Sequence, residues 1–173
     1  NGRLTMNPLA HLDPFGTAMM LLVGIGYAKP VPVNPRNFRN PRQGMALTAL
    51  AGPASNLLMA VVSVGLFRIC TFFVSNIVVL NYLFLGFVGI LASLNISLAV
   101  FNLLPIPPLD GFRILSLILP AKWLYYADRY QQYITLIVFV LLFSGVLDTP
   151  LYLLRKVVGN GIGLLFGFHG LFG

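Results

Sequence analysis

Asp110 closes a run, residues 69–109, that contains no Lys, Arg, Asp, Glu or His. It sits in Leu104-Pro105-Ile106-Pro107-Pro108-Leu109-Asp110-Gly111, directly behind three prolines. A carboxylate held at membrane depth costs roughly 2.5–3.5 kcal/mol even on translocon scales, so it usually handles a cation, a metal or a proton. From residue chemistry three roles stay open for Asp110. It is a cap for the following helix paired with Arg113 at i+3, a metal ligand, or a proton site. The prolines break any helix and leave backbone polar groups to be satisfied elsewhere. Irregular backbone at that depth survives only when buried in protein or lining a wet cavity.

The other side chains with chemistry are few. Asn56, Asn95 and Asn102 lie inside apolar stretches. An amide there is either interhelical hydrogen-bond glue or a donor and acceptor pair for an extended peptide backbone. His11 and His169 stand far apart, and neither has a partner at i+4. A helical zinc site of the His-Glu-x-x-His kind needs that pair and a glutamate base. All four acids are aspartates: Asp13, Asp110, Asp128 and Asp148. The single cysteine, Cys70, excludes an internal disulfide framework and a Cys-rich metal site.

The elements that must position these residues are apolar helices. The chain is 58% hydrophobic and only 9% charged, with mean hydropathy +0.88. Soluble domains carry about 25% charged residues. The expected fold is an all-α polytopic membrane protein, a single domain of residues 1–173 with about four to five transmembrane or re-entrant helices. Residues 1–14 read as a polar turn segment and 15–28 as a short apolar helix. Residues 29–44 read as a basic loop whose prolines (Pro30, Pro32, Pro35) favour a short extended segment. Residues 45–119 hold the core helices, with spans expected over 45–67 and 82–104 and a short helix over 111–119. Pro53 predicts a kink unless it falls in a first turn. Residues 120–173 are C-terminal helices: an interfacial belt at 120–130, a span over 131–147, and an apolar tail of undecided placement.

The net charge of +7 marks topology rather than nucleic-acid binding. Lys29, Arg36, Arg39 and Arg42 share one loop with no acid among them, so loop 29–42 is expected on the cytoplasmic side of the cell membrane. Contact with the lipid bilayer follows. The same alternation places Arg155 and Lys156 on the outer side, against the positive-inside rule.

Four blocks together resemble a known family. They are Gly2-Arg3-Leu4-Thr5-Met6-Asn7-Pro8-Leu9-Ala10-His11-Leu12-Asp13-Pro14-Phe15-Gly16-Thr17, then Ala28-Lys29-Pro30-Val31-Pro32-Val33-Asn34-Pro35, then Ala49-Leu50-Ala51-Gly52-Pro53-Ala54-Ser55-Asn56, and Phe101-Asn102-Leu103-Leu104-Pro105-Ile106-Pro107-Pro108-Leu109-Asp110-Gly111. In that order they are similar to short bacterial and archaeal site-two proteases, over about residues 2–115. The resemblance implies an M50-type intramembrane zinc metalloprotease that cleaves transmembrane protein substrates. It implies Asp110 as the third zinc ligand (Zn2+), with Asn56 and Asn102 lining the substrate cleft. It also implies that the extended segment at Lys29–Asn34 pairs with an unwound substrate strand. The family's His-Glu-x-x-His helix precedes the Gly-Arg-Leu-Thr segment, and this sequence contains no such motif. The chain, which starts at Asn1 without a Met and shows no signal peptide, is therefore expected to be N-terminally truncated and inactive alone. The competing expectations are a non-catalytic scaffold or adaptor that binds transmembrane helices, and a small proton-coupled transporter built on Asp110.

Overall fold

The computed structural model describes residues 33–72 and 78–170, and all that follows concerns these. Contacts divide the chain into Asn1–Asn34 and Pro35–Gly173. The extended-segment and His11 expectations therefore fall almost wholly outside the described residues. From Pro35 the elements are a 3-10 turn, Pro35–Asn37, and six helices. They are α1 (Pro41–Phe72), α2 (Val78–Asn102), α3 (Asp110–Leu115), α4 (Ala121–Arg129), α5 (Gln131–Phe143) and α6 (Asp148–Leu165). No strand occurs among the described residues.

Helix α1 starts earlier than residue 45, the start expected from the uncharged run. Pro41 takes the first helical position, where its missing N–H costs nothing. The Asn40 side-chain oxygen accepts from the Gln43 N–H at 3.4 Å, as an N-cap does. The basic loop thus loses its last four residues to the helix. Pro53 lies inside α1, buried, and the helix continues through it to Phe72. Pro53 has no N–H to give the carbonyl of Ala49.

Helices α1 and α2 form a hairpin along a seam of small residues. Ala46, Ala49, Ala60, Ser63 and Val64 are buried on α1, and Val88, Ala92, Ile96, Ala99 and Val100 on α2. The three- and four-residue spacings put each set on one helix face. Small side chains let the backbones approach, which is how helices associate where lipid removes the hydrophobic driving force. The large apolar side chains point the other way: Leu58 is 63% exposed, Leu83 68% and Phe87 64%. That inside-out pattern fits lipid-facing helices. By length and composition, Pro41–Thr71 and Tyr82–Asn102 each suffice to cross a membrane.

Of the expected span over 131–147, α5 covers the first thirteen residues and a turn at 144–147 separates it from α6. α5 ends at Phe143, Gly145 adopts φ 75°, and α6 leaves at 84° to α5. Only glycine takes that backbone readily. Asp148-Thr149-Pro150 opens α6, with Pro150 tolerated in the first turn. If the bent pair counts as one span, the described residues hold three crossings. α4 is a separate nine-residue helix carrying exposed Trp123, Tyr125 and Tyr126, the residue types of an interfacial belt.

Candidate active site

Between α2 and α3 the chain turns through Leu103–Leu109 without leaving its donors unsatisfied. The prolines have no N–H to place. The remaining N–H groups donate locally: Leu103 to Ala99 O at 3.0 Å, Leu104 to Phe101 O at 3.1 Å, Ile106 to Leu104 O at 2.8 Å and Leu109 to Ile106 O at 2.9 Å. The sequence pattern led one to expect exposed donors here; short turns close on them instead. The Pro107–Pro108 peptide is cis.

Asp110 follows as the first residue of α3, and this rules out the capping role. The N-cap position is Leu109, which offers no side-chain bond. No ion pair joins Asp110 to Arg113, which is exposed. Among the described residues the half-buried Asp110 carboxylate makes no hydrogen bond or ion pair at all. α3 is also shorter than expected, ending at Leu115 rather than Leu119.

Two glycines set where that carboxylate lies. A Cβ on Gly52 of α1 would stand 3.2 Å from Asp110 Oδ2. A Cβ on Gly111 would overlap the backbone carbonyls of Leu103 and Leu104. So α3 rests backbone to backbone on the end of α2 and turns its acid toward α1. Arg42 ties the same region together: its Nη2 donates to Leu119 O at 2.6 Å. The start of α1 and the segment after α3 therefore share one end of the hairpin.

The structure places Asn56 on α1 four residues past Gly52, on the face that meets Asp110. Asn102 is the last residue of α2, next to Leu103. Both are half-buried, and neither side-chain amide is hydrogen-bonded among the described residues. Asn95 differs. Its Nδ2 donates to Leu91 O at 2.8 Å within its own helix, so it is neither interhelical glue nor open. His169 lies at the opposite end of α1: the adjacent Phe168 packs against Phe67 and Arg68. From Gly52 to Phe67 is about 22 Å of helix.

Gly52 and Gly111 are the site residues that residue chemistry alone did not single out. The available signal was a glycine inside a helical pattern, which often marks close approach. Gly52→Ala isolates this effect. An alanine inside a helix gains about 1 kcal/mol over glycine in propensity. We expect the melting temperature to hold or rise while the new methyl displaces the Asp110 carboxylate. In the full-length protein, metal content then falls without loss of fold. An unchanged metal content would show that Gly52 does not position Asp110.

A cavity of about 250 Å³ lies on the other side of α3, lined by Pro107, Phe112, Arg113, Leu124 and Asp128 among others. Asp110 is not part of it.

Residues 65–145 match the family model described as Peptidase family M50. The chain is 42% identical over 146 residues to "Putative zinc metalloprotease YwhC" of Bacillus subtilis (strain 168), covering 80% of this chain and 65% of that protein. Over residues 65–145 the chain resembles peptidase family M50. A second relative, "Putative zinc metalloprotease Rip2" of Mycolicibacterium smegmatis (strain ATCC 700084 / mc(2)155), is 33% identical over 152 residues, 85% of this chain and 56% of that protein. The chain thus spans less than two thirds of the length of either relative. No solved structure matches it.

Zinc is the metal in both relatives' names. A catalytic zinc takes three protein ligands and a water. Among the described residues no group of three His, Cys, Asp or Glu could hold a metal ion. Asp110 fits as one ligand: it is an oxygen donor with no competing partner among the described residues. The described residues do not by themselves make a zinc centre.

Proposed function

We propose that this chain is part of an M50-type intramembrane zinc metalloendopeptidase that cleaves transmembrane segments of membrane proteins. The observation that carries this is the Asp110 carboxylate, without a partner among the described residues at the start of α3 and close against Gly52. The two histidine ligands and the base glutamate come, in this proposal, from sequence N-terminal to Asn1. Asp110 contributes a negative oxygen donor on a short, backbone-anchored helix. The open amides of Asn56 and Asn102 bind the backbone of an unwound substrate, each offering a donor and an acceptor. The protein is a multi-pass component of the cell membrane with loop 29–42 in the cytoplasm. The Arg42–Leu119 bond then sets Asp110 toward the cytoplasmic half.

The test is metal removal from the full-length protein reconstituted with a transmembrane-helix substrate. Chelation is expected to stop cleavage and added zinc to restore it. Helix binding with no cleavage in the zinc-loaded protein would support an adaptor and overturn the protease.

A further inference from the structure

Helix α6 packs on both helices of the hairpin, with Ile162 in the core cluster beside Ala60, Val64, Ala92 and Ile96. It carries two adjacent cations, Arg155 and Lys156, into the interior of the apolar span. Arg155 Nη2 reaches Ser93 Oγ at 3.5 Å, and Ser93, Ile96, Tyr152, Arg155 and Lys156 line a cavity of about 180 Å³. Ser93 stands midway along Tyr82–Asn102, about 16 Å of helix past Tyr82 and about 14 Å before Asn102. The cavity therefore lies at the depth of hydrocarbon, not of headgroups.

A charged side chain at that depth is costly and almost always has a partner. The partners here are neutral. The Lys156 ammonium stands 5.9 Å from the Tyr152 ring, the far limit of a cation–π contact. The Arg155–Ser93 bond is long, and a hydroxyl carries no compensating charge. Among the described residues no carboxylate pairs with either cation. Asp148 is the nearest acid along α6, about 10 Å back down the helix. Two positive charges inside the span thus face whatever packs against them.

We propose that this cavity is a docking site for a transmembrane helix of another membrane protein that carries an Asp or Glu in mid-span, with Arg155 and Lys156 holding its carboxylate. The guanidinium fork takes both carboxylate oxygens, and the ammonium adds a further donor. Depth selects the occupant. A lipid phosphate stays at the interface, and a free anion would have to leave water unaided. A helix brings its carboxylate to this level covalently, and ionised residues within membrane spans pair with one another. The surface around the cavity suits a helix as well. Ile90, three residues before Ser93, and Leu153, three before Lys156, share the faces of those residues and are exposed. They give an apolar partner its packing surface. Such docking requires no cleavage of the bound helix.

The test measures binding of a Leu/Ala-rich transmembrane peptide with one central Glu to the full-length protein in lipid nanodiscs, by fluorescence transfer. Peptides with Gln or Lys at that position are compared, and a chelator keeps any cleavage out of the reading. The wild type is expected to bind the Glu peptide about tenfold more tightly than the Gln peptide, the scale of a desolvated charge pair. Arg155→Gln/Lys156→Gln removes the preference, and Arg155→Glu/Lys156→Gln transfers it to the Lys peptide. Lys156→Gln alone, with a partial loss, serves if the double variants melt early. The charge-matched Lys122→Gln/Arg129→Gln variant keeps the preference. Four results would overturn the site. They are equal binding of the Glu and Gln peptides, a preference that survives in the α6 variants, an equal loss in the Lys122/Arg129 variant, or a preference that emerges only with Asp148→Asn. The last would put the Asp148 of a second copy in the cavity.

Discussion

If the proposed function holds, Asp110→Ala in the full-length protein is expected to abolish both zinc retention and proteolysis while leaving membrane insertion and melting temperature nearly unchanged. The separation follows from what the carboxylate touches. A structural acid is bonded, and removing it strands its partners at about 1–3 kcal/mol. Asp110 has no hydrogen bond or ion pair among the described residues and caps nothing. Its one structural contribution is a negative charge in the first turn of α3, worth about 0.3–1 kcal/mol. Alanine's better helix propensity offsets about half of that. The sum is within about 1 kcal/mol of zero, whereas in the proposed zinc centre the loss of one of three ligands would remove the site. Asp110→Asn separates charge from shape. It keeps the volume beside Gly52 and should lose the metal almost as fully. Metal analysis beside a thermal melt decides the matter. A large drop in melting temperature with zinc retained would make Asp110 a structural residue.

How far the sequence carried this picture depended on range. Hydrophobic run length placed α1 and α2 well, because a membrane span declares itself locally and needs no partner to be recognised. The start of α1 escaped the run-length criterion because Arg42 and Gln43 are polar, while the Asn40 cap and Pro41 were the better local signal. The end of the span at residue 147 was legible in the sequence, but the 84° turn into α6 was not, because it is made by the backbone of Gly145, which hydropathy does not register. At the site, Asp110 stood out because a carboxylate beside an apolar run is costly. Gly52 did not, because its role is the absence of a side chain next to a residue far away in sequence. Asn56 and Asn95 looked alike in sequence. Only the structure shows that Asn95 spends its amide on Leu91 O while Asn56 has no hydrogen-bond partner among the described residues.

Gly111→Ala is expected to be the most destabilising single methyl in the described residues around the site. Propensity argues the other way, since alanine in a helix is favoured by about 1 kcal/mol over glycine. Nor does backbone conformation demand glycine there, because Gly111 is not among the positive-φ glycines. The deciding term is contact. The added Cβ would overlap the carbonyls of both Leu103 and Leu104. These are backbone atoms held by the turns that satisfy Leu104, Ile106 and Leu109, so they cannot swing aside as a side chain does. Overpacking costs typically 1–3 kcal/mol, and here relief requires opening the turn or lifting α3 off α2. Either movement carries Asp110 away from Gly52. We therefore expect a lowered melting temperature together with loss of metal, in contrast to Gly52→Ala, which should lose metal alone. Gly65→Ala is the control: its Cβ meets only the edge of the Phe166 ring at 3.1 Å, which can tilt, so neither readout should move far. If Gly111→Ala melted like the wild type, the close seat of α3 on the end of α2 would be wrong, and with it the account of how the carboxylate is aimed.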